Sequence, residues 1–432
     1  MERYWKVLLC VFGCIPLIEY LTNRLTRPSF INDSMSSALL LLLRFTLIGI
    51  MVLGLLVFNQ IKNLSKTESI LFIGLICLFL PMVLAGFFGY VPSSNYSLVG
   101  LIVIFLLITF IKKPSRVVIE NYFIIIGRFY LYSGLIFFII ARNLVAQTSY
   151  DQSYLGLEMR LNGLTNHANT LGVILSVYFL MEFFSSNIAK RTKIINLSIC
   201  LLALFLTQSK TAWLMIAFLV VLKLFYFVKK NIRKRIILMY FSIFSFTTGF
   251  LLLILYLTRI PSKIVDYVIT NRLYEFTGRD VVWNYTLEYA NLNKIFGYGL
   301  SLWGSDMQQR FLNTYGWTPA HAHSQFYQTL GDSGIVGLIG LSIYLLVIII
   351  AGCIYFKKTN GLSLGLVLIF VSRGITEPIF LNSFTNISIL VHFLLVVYIM
   401  SASKEKPKSQ IKSETKDQTE LPYNNDIKGV QY

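Results

Sequence analysis

Apolar residues in this chain come in blocks, not in alternation. Runs long enough to cross or nearly cross a bilayer lie at 7–21, 38–58, 69–90, 98–111, 117–141, 170–184, 194–206, 212–228, 236–257, 335–356, 361–380 and 386–401. A full span takes about 20 apolar residues, and backbone N–H and C=O groups must be satisfied internally in hydrocarbon, so each block is expected to be helical. The pattern predicts an all-α polytopic membrane protein of about 12 transmembrane helices. Two polar stretches interrupt it. Residues 258–334 form one large loop between spans nine and ten, and 402–432 form a tail rich in Lys, Glu, Gln and Ser with no apolar period. The expected organisation is therefore helices one to nine over 1–257, the loop with its short helices over 258–334, helices ten to twelve over 335–401, and a disordered tail over 402–432. The first run is short enough to resemble a signal peptide. A retained first helix is the reading adopted, because the topology of the rest needs it.

Charge orients this ladder. With the N-terminus inside, the short connections on that side hold seventeen Lys and Arg, and the short outer connections hold six. Cytoplasmic loops carry such an excess, so both termini are expected inside and the 258–334 loop outside. The net charge of +18 then reflects membrane topology, and nucleic acid is not an expected partner. Composition agrees: 56% of residues are hydrophobic, 13% are charged and mean hydropathy is +0.67. The five cysteines all lie in apolar runs, which excludes a disulfide framework in the outer loop and any CxxC zinc pattern.

The outer loop is no mere linker. It carries fourteen aromatic residues, with six basic against six acidic side chains, so it can fold. "DVVWNYTLEYANL" at 280–292 reads as an amphipathic helix at the membrane interface, with Trp283 one position off its stripe. "KIFGYGL" at 294–300 is a turn at Gly297 and Gly299. "HSQFYQTLGDSG" predicts a short helix ended by Gly331 or Gly334, just before span ten.

Ionisable residues gather on the predicted outer side: Lys210 in "TQSKTAW", Arg279 in "TGRDVVW", His321 and His323 before span ten, and Arg373 with Glu377 at the end of span eleven. Charge at a membrane boundary is costly and commonly functional. The plainer alternative is that a single Lys or Arg near a helix end is a snorkelling anchor. His167, in "TNHANTLG", either shapes a site or caps span six, and His392 in mid-span reads as a buried, hydrogen-bonded residue. His321 and His323 stand two apart with no third ligand nearby in sequence, so no metal is expected. There is no Walker loop and no DxD pair, hence no cofactor is expected either.

These elements resemble the O-antigen ligase and O-antigen polymerase superfamily of bacterial membrane glycosyltransferases. The ligase pattern of a His, a small polar residue, nine residues, Gly, two residues and Gly is matched by His323, Ser324, Gly334 and Gly337. "GRDVVW", "FGYG", "TQSKTAW" and "NHANTLG" are similar to other family elements, with Lys210 where the family usually has Arg. Lys keeps the charge but lacks the two-pronged fork that suits phosphate. The resemblance covers roughly residues 160–340.

It implies a metal-independent glycosyltransferase in the bacterial cytoplasmic membrane. The donor would be an oligosaccharide on undecaprenyl diphosphate, and the site would face outward. His323 would act as base, and Arg279 would be catalytic. Arg279, Lys210 and Arg373 would hold the diphosphate. His321, His167, Glu377 and Tyr327 would shape the site, and Tyr327, Trp283 and Trp303 could stack on sugars, with interface anchoring the plainer role for the tryptophans. A flippase and a chain-length regulator are the protein partners implied, beside membrane lipid. Polymerisation of repeat units into capsule, exopolysaccharide or O-antigen is the first reading. Ligation of glycan to lipid A-core, protein or wall is the second. A lipid-oligosaccharide transporter and an assembly scaffold are readings of other classes, though paired repeats typical of transporters are missing from the sequence.

Overall fold

A computed structural model of the chain describes residues 2–26, 49, 64–93, 96–147, 159–185, 188–227, 278–380 and 387–404. Its elements are almost all helical. In order they are α1 (Glu2–Thr26), α2 (Lys66–Phe88), α3 (Tyr96–Phe110), α4 (Arg116–Ile140), α5 (Arg142–Val145), strands β1 (Ala146–Gln147) and β2 (Arg160–Leu161), α6 (Ala168–Phe184), α7 (Lys190–Thr207), α8 (Lys210–Phe227), α9 (Arg279–Ala290), a 3-10 turn (Asn291–Asn293), α10 (Ser305–Tyr315), α11 (Gln325–Ile354), α12 (Leu362–Thr376) and α13 (Ile387–Lys404). The two strands pair antiparallel, Ala146 opposite Leu161.

Ten of the twelve predicted spans coincide with helices. The spans at 38–58 and 236–257 lie outside the described residues, apart from the single residue Gly49. Lys66–Phe88, Arg116–Ile140 and Gln325–Ile354 are long and apolar enough to cross a membrane, and several shorter apolar helices accompany them. Their outer surfaces are greasy at helical spacing. On α11 the exposed residues are Ile335, Ile339, Ile343, Leu346, Ile350 and Ile354; on α2 they include Ile70, Ile73 and Leu80. Water would not tolerate such stripes, whereas lipid tails cover them without cost, so the described helices are those of an integral membrane protein. In contrast, α13 is buried from Ser388 to Ala402 and touches α1, α2, α4, α6 and α12. A helix apolar on every side belongs in the middle of a bundle.

Three details differ from the sequence reading. α13 continues to Lys404, whose ammonium lies 2.7 Å from the buried Glu68 at the start of α2, so the first residues assigned to the tail are helical. The rest of that tail lies outside the described residues. α12 stops at Thr376, before the predicted end of span eleven, because Pro378 forbids the helical conformation at Glu377, which is extended (φ −150°, ψ 147°). The helix at 279–290 buries Val282, Trp283, Tyr285, Thr286 and Ala290 and packs on α11. Its apolar side thus meets protein, and Trp283, set off the stripe in sequence, is only 6% exposed.

The helix ends sort onto two sides. At one end, the starts of α6, α8, α9 and α11 meet the ends of α7 and α12, through Asn169–Glu377, Arg160–Thr207, Thr211–Thr376 and Arg279–Thr376 contacts. At the other, α13 meets α2, and Thr67 beside the start of α2 bonds Tyr355 just past α11 at 2.6 Å. Alternate threading of the predicted spans assigns those same ends to common sides.

Candidate functional site

The site begins with a break in a helix. α11 runs from Gln325 to Ile354, but Gly334 interrupts it at φ 61°, ψ −155°. Of the two glycines expected to end the short helix, the structure selects Gly334. The break frees backbone groups, and the 294–298 turn takes them up: Ile335 N–H donates to Lys294 O, Val336 N–H to Ile295 O, and Tyr298 N–H to Gly331 O, at 3.0, 3.2 and 2.8 Å. Gly297, at φ 74°, has no room for a side chain, since a Cβ there would meet Gly331 O and Gly334 N at 2.6 Å. The two glycine elements of the sequence are therefore one crossing of two backbones. The same turn hydrogen-bonds to the end of α2 through Tyr90 N–H and Val91 N–H.

The piece of α11 before the break carries the histidines into place. Ala322 is held from both sides: its N–H donates to Gln328 Oε1 at 2.9 Å and its C=O accepts from Trp283 Nε1 at 2.8 Å. Trp283 also stacks on Tyr327, with centroids 4.8 Å apart and planes within 6°. Trp283 and Trp303 are both buried, so neither anchors at an interface nor offers an open face to a sugar. Trp303 forms part of an aromatic core with Tyr285, Tyr298 and Phe311, and Tyr327, the stacking partner of Trp283, packs against that core. This clamp holds His323 at φ 50°, a left-handed conformation that side chains rarely adopt. Trp283→Phe keeps most of the stack but strands the Ala322 carbonyl. It is expected to cost about 1–3 kcal/mol, read as a lowered thermal midpoint of the purified protein.

Gln325, the first residue of α11, binds the other half of the site. Its Oε1 accepts from Ile379 N–H at 2.7 Å and Phe380 N–H at 2.8 Å, which fixes the extended segment after α12 against the histidine turn. Glu377 on that segment becomes the hub. Its Oε2 lies 3.4 Å from His323 Nδ1 and 3.7 Å from His321 Nε2. Its Oε1 lies 3.5 Å from Arg279 Nη2 and accepts from Asn169 Nδ2 at 3.3 Å. Arg279 Nη1 also donates to Thr376 O at 2.9 Å. Behind Asn169, the buried Arg160 donates to Asn169 Oδ1 and Thr207 O, both at 2.9 Å. Burial alone would raise the Glu377 carboxyl. The close approach of His323 and the charge of Arg373 outweigh it, and hold the group well below the usual carboxylate range.

The two imidazoles are not equivalent. His321 Nδ1 accepts the His323 backbone N–H at 3.2 Å, so the proton of a neutral ring sits on Nε2, facing Glu377. Its lone pair is spent. Burial, then His323, pushes its pKa down to about 4, so it stays neutral at ordinary pH. His323 faces Glu377 with Nδ1, which leaves Nε2 as its available acceptor, on a side chain that is 28% exposed. His321, His323 and Glu377 place one ligand atom each within 4.8 Å of one another, so the third ligand missing from the sequence neighbourhood exists in space. The His321 tautomer argues against a metal there. A ligating Nε2 requires the proton on Nδ1, where the His323 N–H already points.

The other expected residues fall nearby with differing partners. His167 caps α6, its Nδ1 accepting from the N–H of Asn169 at 3.1 Å, and the side chain of that same Asn169 reaches Glu377. Arg373, in the last turn of α12, is 6% exposed; its Nε donates to Ser388 Oγ at 2.9 Å, and its buried Nη1 has no partner among the described residues. Lys210 is exposed at the start of α8, beside Thr211, whose hydroxyl bonds that of Thr376 at 2.9 Å. Tyr327 supports Trp283. His392 lies away from the site, buried and bonded to Tyr344. The sequence reading missed Arg160, Asn169, Gln325 and Gln328 as site-builders. "NHANTLG" and "HSQ" contain two of them, but nothing local shows what they bind.

Residues 195–342 match the family model described as O-Antigen ligase. The matched segment holds Lys210, Arg279, His321, His323 and Tyr327, and His167, Arg373 and Glu377 lie outside it. No curated protein sequence matches the chain.

Proposed function

We propose that this protein is a polymerase that joins oligosaccharide repeat units carried on undecaprenyl diphosphate, at the outer face of the bacterial cytoplasmic membrane. One observation carries the reading. A histidine with an available Nε2 and an arginine stand beside one carboxylate at the end of an apolar bundle, and the charge of a second, partly unpartnered arginine, Arg373, acts on the same carboxylate. That end is where a substrate with its lipid in the bilayer and its sugars in water would sit. The family match to residues 195–342 supports lipid-linked glycan transfer as the class.

The residues divide the reaction between them. An acceptor hydroxyl attacks the anomeric carbon of the donor glycan, and its proton passes to His323 Nε2. The new C–O bond forms as the bond from carbon to diphosphate oxygen breaks. The electron pair leaves with the diphosphate. Guanidinium groups stabilise that growing charge best in a site shielded from water. Arg279 commits one N–H to Thr376 and points another at Glu377, so donors remain for a phosphate oxygen. Arg373 Nη1 is a buried donor that such an oxygen would satisfy. Lys210 adds a point charge at the start of α8.

The match is to a family described by ligation, so transfer to a separate acceptor is the second reading. Purified protein in liposomes with lipid-linked repeat unit, with and without a second acceptor, tests both. Long chains from the repeat unit alone are expected. Transfer only to the second acceptor would make the protein a ligase. Movement of the glycan across the bilayer without lengthening would make it a transporter. The rate is expected to be unchanged by EDTA, and loss of activity restored by a divalent ion would overturn metal independence.

A further inference from the structure

We propose that Glu377 is the positioning residue of the base: it fixes the His323 tautomer with Nε2 unprotonated and stabilises the imidazolium formed when that nitrogen takes the acceptor proton. This rests on the reading of His323 as base. The motif that marks His323 ends at Gly337, and Glu377, 54 residues after His323, lies beyond the family match.

The geometry assigns the role as follows. His323 has two ring nitrogens. Nδ1 is buried and closes no hydrogen bond among the described residues, and Glu377 Oε2 lies 3.4 Å from it. A carboxylate there favours the proton on Nδ1, which puts the lone pair on Nε2. When Nε2 gains a proton the ring becomes a cation, and the carboxylate already stands beside it. The carboxylate is itself held in place. Asn169 and Arg279 bind Oε1, Gln325 fixes the two residues after Pro378, and His321 offers an N–H toward Oε2. His321, whose own lone pair is used up by the His323 backbone, thereby gains a function: a neutral second donor that keeps Oε2 turned to the histidine pair.

The competing role for Glu377 is a structural staple joining α9 to the end of α12 through Arg279. The two are separable. A staple matters whether or not His323 is present, whereas a positioning residue matters only through it. The test measures single-turnover chain extension and donor affinity for Glu377→Gln, Glu377→Asp, His323→Ala and the Glu377→Gln/His323→Ala double variant. A glutamine can present its amide N–H to Nδ1, which drives the proton to Nε2 and removes the base. Glu377→Gln is expected to slow extension on the order of 100-fold, with donor affinity within about 3-fold. Glu377→Asp, which keeps the charge, should recover most of that loss. In the His323→Ala background, Glu377→Gln should cost less than about 3-fold more. Equal losses in both backgrounds, or an aspartate variant as slow as the glutamine one, would overturn the proposal. If His323→Ala is slow and Glu377→Gln is fast, Glu377 alone is removed from the scheme. If His323→Ala keeps the full rate, the base assignment itself fails.

Discussion

Replacing His323 with alanine is expected to leave a folded protein that binds its lipid-linked donor and hardly extends it. General-base catalysis typically contributes on the order of 10²–10⁴-fold, and removal of Nε2 should cost that much in the extension step. Cells carrying the variant should accumulate single repeat units on the lipid at normal protein level. Three features make His323 the residue to change, and not His321. Its available ring nitrogen is Nε2, its side chain is 28% exposed, and its backbone sits at φ 50°, a conformation held by surrounding structure. His321 has its lone pair bonded to a backbone amide and a pKa pushed down to about 4, both of which suit a hydrogen-bond donor and not a base. His321→Gln should therefore be milder than His323→Ala by about 10-fold or more. Side chain loss at 323 also relieves a left-handed residue only slightly, so stability should change by under about 1 kcal/mol. Normal chain length in the His323→Ala variant would remove the base from the scheme.

What was legible in the sequence follows the range of the forces involved. Helices declared themselves, because burial in lipid needs a continuous apolar run and ten of the predicted runs coincide with helices. Their ends were less legible. Pro378 stops α12 early, and the pull of Glu68 on Lys404 carries α13 onward, and neither effect appears in hydropathy. Short polar motifs were visible where chemistry and backbone strain coincide, as at His323 and Gly334. The partners were not. Glu377 meets Asn169 from 208 positions away and Arg279 from 98, and no local pattern encodes such a meeting. Trp283 misled for a related reason. An off-stripe tryptophan in an amphipathic helix looks like an interface anchor, but its N–H was needed by a carbonyl 39 positions away. The third vertex of the histidine group was hidden in the same way: Glu377 supplies in space the ligand atom that the sequence neighbourhood of His321 and His323 lacks.

Gly334→Ala is expected to be the most damaging single change in the 278–334 segment, although it adds only one methyl group. At φ 61°, ψ −155° the backbone is in a region that is essentially glycine's alone, and forcing alanine there costs about 1–3 kcal/mol. Space is the larger obstacle. A Cβ would lie 2.4 Å from Ile295 O, 2.5 Å from Gly297 N and 2.6 Å from Ile295 C, all backbone atoms that cannot rotate aside. The 294–298 turn would have to withdraw, breaking the hydrogen bonds donated by the Ile335, Val336 and Tyr298 amides that close the break in α11. Each is worth about 0.5–1.5 kcal/mol net, and more where its partner stays buried. The sum, about 2.5–7.5 kcal/mol, rivals the whole stability of many domains. With the turn withdrawn, the histidine-bearing piece of α11 loses its support, and activity should fall with structure. Gly316→Ala is the control. Gly316 also has a positive φ, 79°, but a Cβ there meets nothing within 4 Å, so only the conformational cost of about 1–2 kcal/mol applies. Limited proteolysis of the two purified variants should cut the Gly334→Ala protein rapidly between residues 278 and 334, leave its membrane helices intact, and cut Gly316→Ala about as slowly as the parent. Equal protection of both variants would mean that the crossing of the two glycine backbones does not hold the 278–334 segment together.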